Sequence, residues 1–486
     1  MKVVSISAAA ARAEFQQLLS NGALTPAGAA RLAEEAAQAC LASSSELDDA
    51  ALLLSELAML GDAELARAGV DGIFRRVIET MADAFDPRLS DLYVQFFAKV
   101  LGYCRRLPPA AWLDERLQRF GLEREPHLVH RAVTLRRPRR VAGAVKKVVV
   151  LSRVTLGADV AITSVILQKI MRDFPDARLA LLASGKAGLL FAGESRVVVR
   201  RVEYPRGGGL IERLAAWPAV ADQVQVELEG LRPGDYLVVD PDSRLTQLGM
   251  LPVVEDESAY HFFESRSFSK PGLDALPDLT AAWLEEVFGP HSEPVRPWVS
   301  LPTGAIRFAR AVTATASEAR WVAVNFGVGE NPGKRIEGAF EQRLLSGLLD
   351  LGWRIFLDKG EGAEEIARAQ RLLAGLREAG WQVSELDEHT GLPAAGARVV
   401  AWQGSLAGFG ALIGVSELYI GYDSACQHIA AALGVKTIDI FAGFRSPRMV
   451  ERWRPSGTAP VRMIVVDPGG PPDPEGVLRS VLEAAR

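Results

Sequence analysis

ELYIGYDSACQHIAAALGVKTIDIFAG, residues Glu417–Gly443, is the stretch that decides the fold. An apolar run ends at Asp423, a tight turn follows, and a helix opens near Gln427. VKTIDIFAG then returns as a second β-branched run. Strand, turn, helix and strand in that order form the repeating unit of a parallel sheet covered on both faces. The turn also carries chemistry. Backbone N–H groups at a helix start have no partner inside the helix and attract phosphate, and Ser424 adds a hydroxyl donor. His428 lies in the first turn of the same helix. A plainer reading stands beside this one: Asp423 and Ser424 cap the helix, and His428 is a satisfied core histidine.

The alternation continues upstream. WVAVNFG (321–327), WRIFLDKG (353–360) and ARVVAWQG (397–404) read as strands. Between them Phe340–Leu351, Ala363–Ala379 and Leu406–Ile413 read as helices. An earlier series opens at KKVVVLSRV (146–154), passes through a helix over Ala161–Phe174, and continues with strands at ARLALLAS (177–184), Arg196–Val202 and DYLVVD (235–240). A Pro-rich connection, Leu276–Leu301, joins the two series and crosses a helix at LTAAWLEEVFG (279–289). Two doubly wound domains in tandem predict a cleft at the carboxyl ends of both sheets.

The first ~130 residues use a different grammar. LAEEAAQACLA (32–42) and DDAALLLSELAML (48–60) carry apolar residues at helical spacing. Thr25-Pro26 reads as a helix start, and Gly61-Asp62 and Asp86-Pro87 as breaks. The expected organisation is a helical domain over 1–130, a basic linker over 131–146, and Rossmann-like domains over 147–300 and 301–486. Arg131–Lys147 holds seven basic residues and no acidic one. It reads either as a solvated connection or as a surface for phosphate, anionic lipid or an anionic substrate.

Composition bounds the function. The chain has 486 residues, room for roughly three domains at about 150 residues each. Its formal net charge of −5 excludes a globally basic nucleic-acid binder. Three widely separated cysteines give no disulfide framework and no Cys-x-x-Cys metal site, which suits a reducing cytoplasm. No run approaches the ~18 apolar residues of a membrane span, and the N-terminus lacks a signal peptide's apolar stretch. Ser-His-Asp order, His-Glu-x-x-His and the P-loop pattern are absent. The polar loop DPDSRLTQLGMLP (240–252) offers Asp240, Asp242, Ser243, Arg244 and Gln247 as hydrogen-bonding groups for a polyhydroxylated ligand, or else is a structured loop with Asp as a cap.

Asp-Ser-x-x-x-His-x-Ala-Ala-Ala-Leu-Gly (423–434) resembles the donor-site signature of family-9 glycosyltransferases, the ADP-heptose:lipopolysaccharide heptosyltransferases and their relatives. Three more segments match in order: VVVLSRVTLGADVAITSVILQKIMRDFPDARLALLA (148–183), NFGVGENPGKRI (325–336) and WQGSLAGFGALIGVSELYIGYDSA (402–425). The resemblance covers roughly Lys147 to the C-terminus and leaves the helical region as an addition. It implies an α/β GT-B fold, two Rossmann-like domains facing a cleft and preceded here by an all-α domain. It also implies a metal-independent, inverting transfer of heptose or a related sugar to a glycan, lipid-linked or protein acceptor, as in lipopolysaccharide biosynthesis. A nucleotide-diphosphate sugar such as ADP-heptose would serve as donor, with no separate cofactor, no metal site and no nucleic-acid partner. The setting would be the cytoplasm or the inner membrane face, with Arg136–Lys147 and the helical domain as surfaces for a membrane or a partner protein.

Residue by residue, the resemblance makes Asp159 the general base, a carboxylate that takes the acceptor hydroxyl's proton. It makes Lys334 and His428 the groups that steady the leaving diphosphate, with Arg335 as a helper. Asp423, Ser424 and Ala425 form the donor loop, and Glu364 and Glu365 are placed to hold a ribose hydroxyl. Four departures from the family pattern surround these positions. Ala158 stands between Gly157 and Asp159, where the family has Gly directly before Asp. Ala425 replaces a glycine, Ile336 replaces a tryptophan, and FAGFRSP (441–447) replaces a Tyr-Gly-Pro ending. A second class of function is therefore kept: a catalytically inactive GT-B chain that binds a ligand or partner. A nucleotide-sugar epimerase on the same architecture is a third.

Overall fold

The computed structural model describes residues 7–486 apart from 142, 206, 330, 337, 471 and 472. It divides into two compact units, Met1–Val154 with Arg200–Ser269, and Thr155–Val199 with Lys270–Arg486.

The first unit opens with helices, as the Ala- and Leu-rich spacing predicts. They include Ala8–Ser20, Pro26–Ala42, Leu47–Ala58, Ala63–Asp71, Pro87–Cys104, Ala111–Arg119 and Glu125–Leu135. The expected starts are real. Thr25 caps Gly28 N–H with Pro26 at the first helical position, and Asp62 and Asp86 cap the helices that follow the two breaks. Small residues let the helices close in. A Cβ on Gly69 would lie 2.2 Å from the Ala58 nitrogen, so only glycine fits this crossing.

Twelve strands follow in chain order: β1 Lys147–Leu151, β2 Arg178–Ala183, β3 Val197–Arg201, β4 Tyr236–Asp240, β5 Tyr260–Phe262, β6 Trp321–Asn325, β7 Arg354–Asp358, β8 Val383–Leu386, β9 Val399–Trp402, β10 Leu418–Tyr422, β11 Lys436–Phe441 and β12 Val461–Val465. They form one sheet of five strands and one of seven. Within the first unit β4 lies parallel between β1 and β5, with Val149 opposite Val238 and Val239 opposite His261.

The helical region packs onto the loops after β4 and β5. Tyr93 Oη donates to Gln247 Oε1 at 2.9 Å, and Arg131 pairs with Glu257 at 2.7 Å and donates to the Gly249 carbonyl. Arg136 pairs with Asp91 and, at 2.9 Å, with Glu264. Arg139 donates to the Glu257 and Tyr260 carbonyls, Lys146 pairs with Asp235, and Lys147 pairs with Glu227. Most cations of the basic segment are thus held in internal bonds, and among the described residues Arg137 and Arg140 are exposed cations that make no such pair. In the Asp240–Pro252 loop, Asp240 accepts from Ser243 N–H, Thr246 and Tyr260, and burial pushes its carboxyl up to about 6. Asp242 pairs with Arg266. Both aspartates are fully buried, so the structured-loop reading describes them and the ligand-contact reading does not.

In the second unit all seven strands run parallel in the order β12-β11-β10-β6-β7-β9-β8. Val322, Val324, Ile355, Leu357, Ile420, Tyr422, Ile438 and Ile440 face one apolar core with the helix Phe340–Asp350. From β6 the chain builds outward through β7, then returns to β10 on the other side. That reversal opens a crevice beyond the carboxyl ends of β6 and β10.

Sequence reading missed β5, β8 and β12. Each lies at a sheet edge, and β5 has three residues. β8 (Val-Ser-Glu-Leu) and β12 (Val-Arg-Met-Ile-Val) are only partly buried and lack the continuous apolar run that marks the central strands. The helix expected from Ala161 starts earlier, at Leu156, for a reason that bears on the site.

Candidate donor site at the strand reversal

The loops after β6 and β10 meet at the crevice. After β6 the chain makes a single 3-10 turn, Pro332–Lys334. This turn brings the Lys334 ammonium onto the Asp423 carboxylate, with a second bond to the Asp423 carbonyl at 3.2 Å. Backbone approach makes this position possible. Gly443, after β11, has φ +64°, and a Cβ there would lie 2.3 Å from the Gly333 carbonyl oxygen and 2.8 Å from the Lys334 nitrogen.

Gln427 Nε2 donates to the other Asp423 oxygen at 2.7 Å. Ser424 is the N-cap of the helix Ala425–Ala432, yet its hydroxyl makes no bond to the helix N–H groups. It donates instead to Asn325 Oδ1 at 3.4 Å. The capping reading of Ser424 therefore fails, and the first N–H groups keep their capacity for an anion. Ala425 opens the helix with ordinary negative φ, so its replacement of glycine introduces no strain.

His428 is buried, with its ring edge-on to Trp453 at 5.9 Å between centroids. Burial, aided by Lys334 and opposed by Asp423, brings its imidazole down to about 4. The ring is neutral at pH 7 and has one N–H to donate. Gly157 lies against it, since a Cβ there would sit 3.1 Å from His428 Cδ2. The short helix Leu156–Ala158 and the turn after it pack on the helix Ala425–Ala432. Asp159 is thereby brought into the same neighbourhood as His428. It is buried, and Thr163 Oγ1 donates to its Oδ1 at 2.9 Å.

Asp159–Thr163 is a π-helical turn, closed by Ser164 N–H on the Asp159 carbonyl. A π turn is how a helix holds one residue more than its α-helical length. The turn follows directly on Gly157 and Ala158, with Gly157 against His428.

On the β7 side of Asn325 lies an open recess lined by Phe326, Gly327, Arg335, Asp358, Glu365 and Arg368, among others. Asn325 Nδ2 donates to Asp358 Oδ2 at 2.6 Å, and Gly360 N–H donates to its other oxygen at 3.2 Å. Burial pushes the Asp358 carboxyl up to about 6. Glu365 lines the recess. Glu364 does not; its side chain is 79% exposed and pairs with Arg335 at 2.8 Å. The two glutamates read together in the sequence are separated by the structure.

Sequence reasoning missed Asn325, Asp358, Thr163 and Gln427. The first two had a legible signal: each is the polar residue that closes an apolar strand at its carboxyl end (WVAVN, RIFLD). Gln427 and Thr163 reach other residues of the site through i,i+4 contacts, which become visible only once the residues they touch are placed.

The model of glycosyltransferase family 9 (heptosyltransferase) matches residues 337–460. This stretch is therefore similar to family-9 glycosyltransferases. It contains Asp423, Ser424, Ala425, His428, Glu364 and Glu365, and begins just after Lys334 and Arg335. The fold is similar to the family-9 glycosyltransferase from Veillonella parvula DSM 2008, at 14% identity over 71% of this chain and 93% of that one, with a TM-score of 0.50. ADP-heptose lps heptosyltransferase II of E. coli aligns at 16% identity over 69% of this chain and 96% of that one, TM-score 0.46. The E. coli heptosyltransferase WaaC with ADP aligns at 15% over 70% and 100%, TM-score 0.47. No curated protein matches the sequence. The chain thus carries a stretch similar to family-9 glycosyltransferases, on a fold similar to a family-9 structure and with a helical N-terminal region.

Proposed function

We propose that this chain moves a sugar from a nucleotide-diphosphate donor to an acceptor hydroxyl, with inversion and without a metal ion. One observation carries the reading: a helix N-terminus with uncapped N–H groups and a lysine–aspartate pair share the crevice at the strand reversal. The diphosphate would lie against the Ala425–Ala432 N-terminus and draw the Lys334 ammonium toward itself. Charge on the departing diphosphate would then meet Lys334, Arg335, the N–H groups and the neutral His428 N–H, a fixed set of donors that needs no reorganisation as charge develops. Asp423 keeps Lys334 in position between turnovers. Glu365, in the recess beside Asn325 and Asp358, would accept from the ribose hydroxyls, and Glu364 would orient Arg335. Asp159 would take the acceptor proton as the hydroxyl oxygen attacks the anomeric carbon opposite the leaving group.

The donor class includes ADP-heptose, and the acceptor is a glycan, a lipid-linked glycan or a protein. No described helix is long and apolar enough to cross a membrane. As the setting we propose the cytoplasm or the inner face of its membrane.

Thermal shift against ADP-, GDP-, UDP- and dTDP-sugars tests the donor site. One nucleotide class should stabilise the wild type and leave Asp423→Ala and Lys334→Ala unmoved. Binding without release of free nucleoside diphosphate, with any acceptor, would favour an inactive binding protein. Donor turnover to a rearranged sugar without acceptor would favour an epimerase.

A further inference from the structure

Asp439 stands out among the buried charged groups. It lies in the middle of β11, fully buried, and neither carboxyl oxygen has a hydrogen-bond partner among the described residues. Alternation along the strand explains its direction. Ile438 and Ile440 enter the apolar core, so Asp439 points to the opposite side of the sheet. That side carries the helix Ala425–Ala432 and the Asp423 crevice, and Asp439 is register partner to Gly421, two residues before Asp423.

A second acceptor is unsatisfied there. Gln427 is fully buried, its Nε2 is committed to Asp423, and its Oε1 has no partner among the described residues. Buried acceptors left without donors are rare; these two lie on one side of the sheet, where a shared proton would satisfy both. The local charges agree. Asp439 is within electrostatic reach of Asp423, Lys334 and Tyr419. Lys334 is the cation of that group and is already matched by Asp423, while His428 is neutral. An ionised Asp439 would add an unbalanced negative charge beneath a site meant for a diphosphate. Burial and the Asp423 charge both push its carboxyl up.

We propose that Asp439 is a positioning residue of the donor site, held as a neutral acid whose O–H is donated to Gln427 Oε1. The bond fixes the Gln427 amide, whose N–H then holds Asp423 toward Lys334. The line from Asp439 through Gln427 and Asp423 to Lys334 sets the geometry of the cation without touching the donor. This rests on the Lys334–Asp423 crevice being the donor site.

Two measurements test it. In an infrared difference spectrum at neutral pH, wild type minus D439N, a protonated-carboxyl C=O band should appear. D439N keeps a donor and should bind the best-stabilising nucleoside diphosphate within twofold of wild type. D439L fills the space and cannot donate; it should weaken that ligand at least tenfold and raise donor KM more than it lowers kcat. Q427L should cause a loss of the same size, and D439L/Q427L no further loss. Absence of the band, a D439N as weak as D439L, or a D439L as tight as wild type would overturn the proposal. If D439L does not fold, the infrared band and D439N still decide. A wild type stabilised by no nucleoside diphosphate sinks the donor reading and the positioning role with it, whereas a missing band sinks the neutral acid alone.

Discussion

Replacing Lys334 with alanine gives the sharpest test of the donor crevice, because stability and binding should respond separately. The Lys334 and Asp423 side chains are 17% and 9% exposed. Removing one member of a buried ion pair costs about 3–5 kcal/mol, since the remaining charge is left without its partner. Lys334 keeps some solvent contact and Asp423 keeps Gln427, so about 3 kcal/mol, the low end, is expected here. A domain of this size loses roughly 2–4 °C of Tm per kcal/mol, which gives a fall of about 6–12 °C. Adding Asp423→Asn to Lys334→Ala removes the stranded charge and should recover most of that loss. It should not recover binding. At ~100-fold excess over Kd the donor should stabilise wild type by about 2.7 kcal/mol and neither variant. Calorimetry with and without nucleotide sugar reads all of these quantities. A Lys334→Ala protein less than about 1 kcal/mol weaker than wild type, the range of a surface pair, would refute the buried-pair argument. One still stabilised by the donor would refute the site.

Asp159→Asn should lower kcat by roughly 10²–10⁴-fold, the span of general-base catalysis, and leave the donor Kd unchanged in a binding titration. Thr163→Val removes a hydrogen bond to the Asp159 carboxylate and should move the acid limb of the pH–rate profile to higher pH, with Thr163→Ser retaining the wild-type limb. Glu365→Ala should raise donor KM, while Glu364→Ala, on a largely exposed pair, should change stability by less than about 1 kcal/mol; a reversed order would move the ribose contact to Glu364. His428 has a folded value of about 4 against an ordinary 6.5, so the unfolded chain binds the extra proton between those values. Its contribution is complete above pH 6.5 and is lost as pH falls toward 4. Asp358, raised to about 6, acts in the opposite sense, so the informative quantity is the difference in denaturant stability between wild type and His428→Gln across that window. A flat difference would place the ring in contact with solvent.

The central strands were legible because they are buried on both faces: Val148–Leu151, Val322–Val324 and Leu418–Tyr422 need long apolar runs to survive there. The edge strands do not need them and left no such mark. In the site, Asp423 and Lys334 were readable as a motif, and the structure brings them into contact although they lie far apart in sequence. The support around them was not readable. Gln427 and Asp439 look like an ordinary helix residue and a misplaced charge until register and alternation put them on one side of the sheet. The basic segment misled for a related reason. Its acidic partners, Asp91, Glu227, Asp235, Glu257 and Glu264, are scattered through the sequence, so a run of seven cations looked unopposed.

The wide turn at Asp159–Thr163 bears on how this chain tolerates changes of length. One residue inserted into an α-helix rotates every later side chain by about 100° around the axis. Such a rotation would swing Val165, Ile166 and Ile170 away from their buried positions. A loosened turn that takes up one residue spares everything downstream, and the helix Ser164–Asp173 behind this one keeps its apolar side chains buried. The rotation is concentrated on the few side chains inside the turn, and Asp159 is the first of them. A one-residue change of length taken up in this turn would therefore act as a local adjustment of where a single carboxylate points.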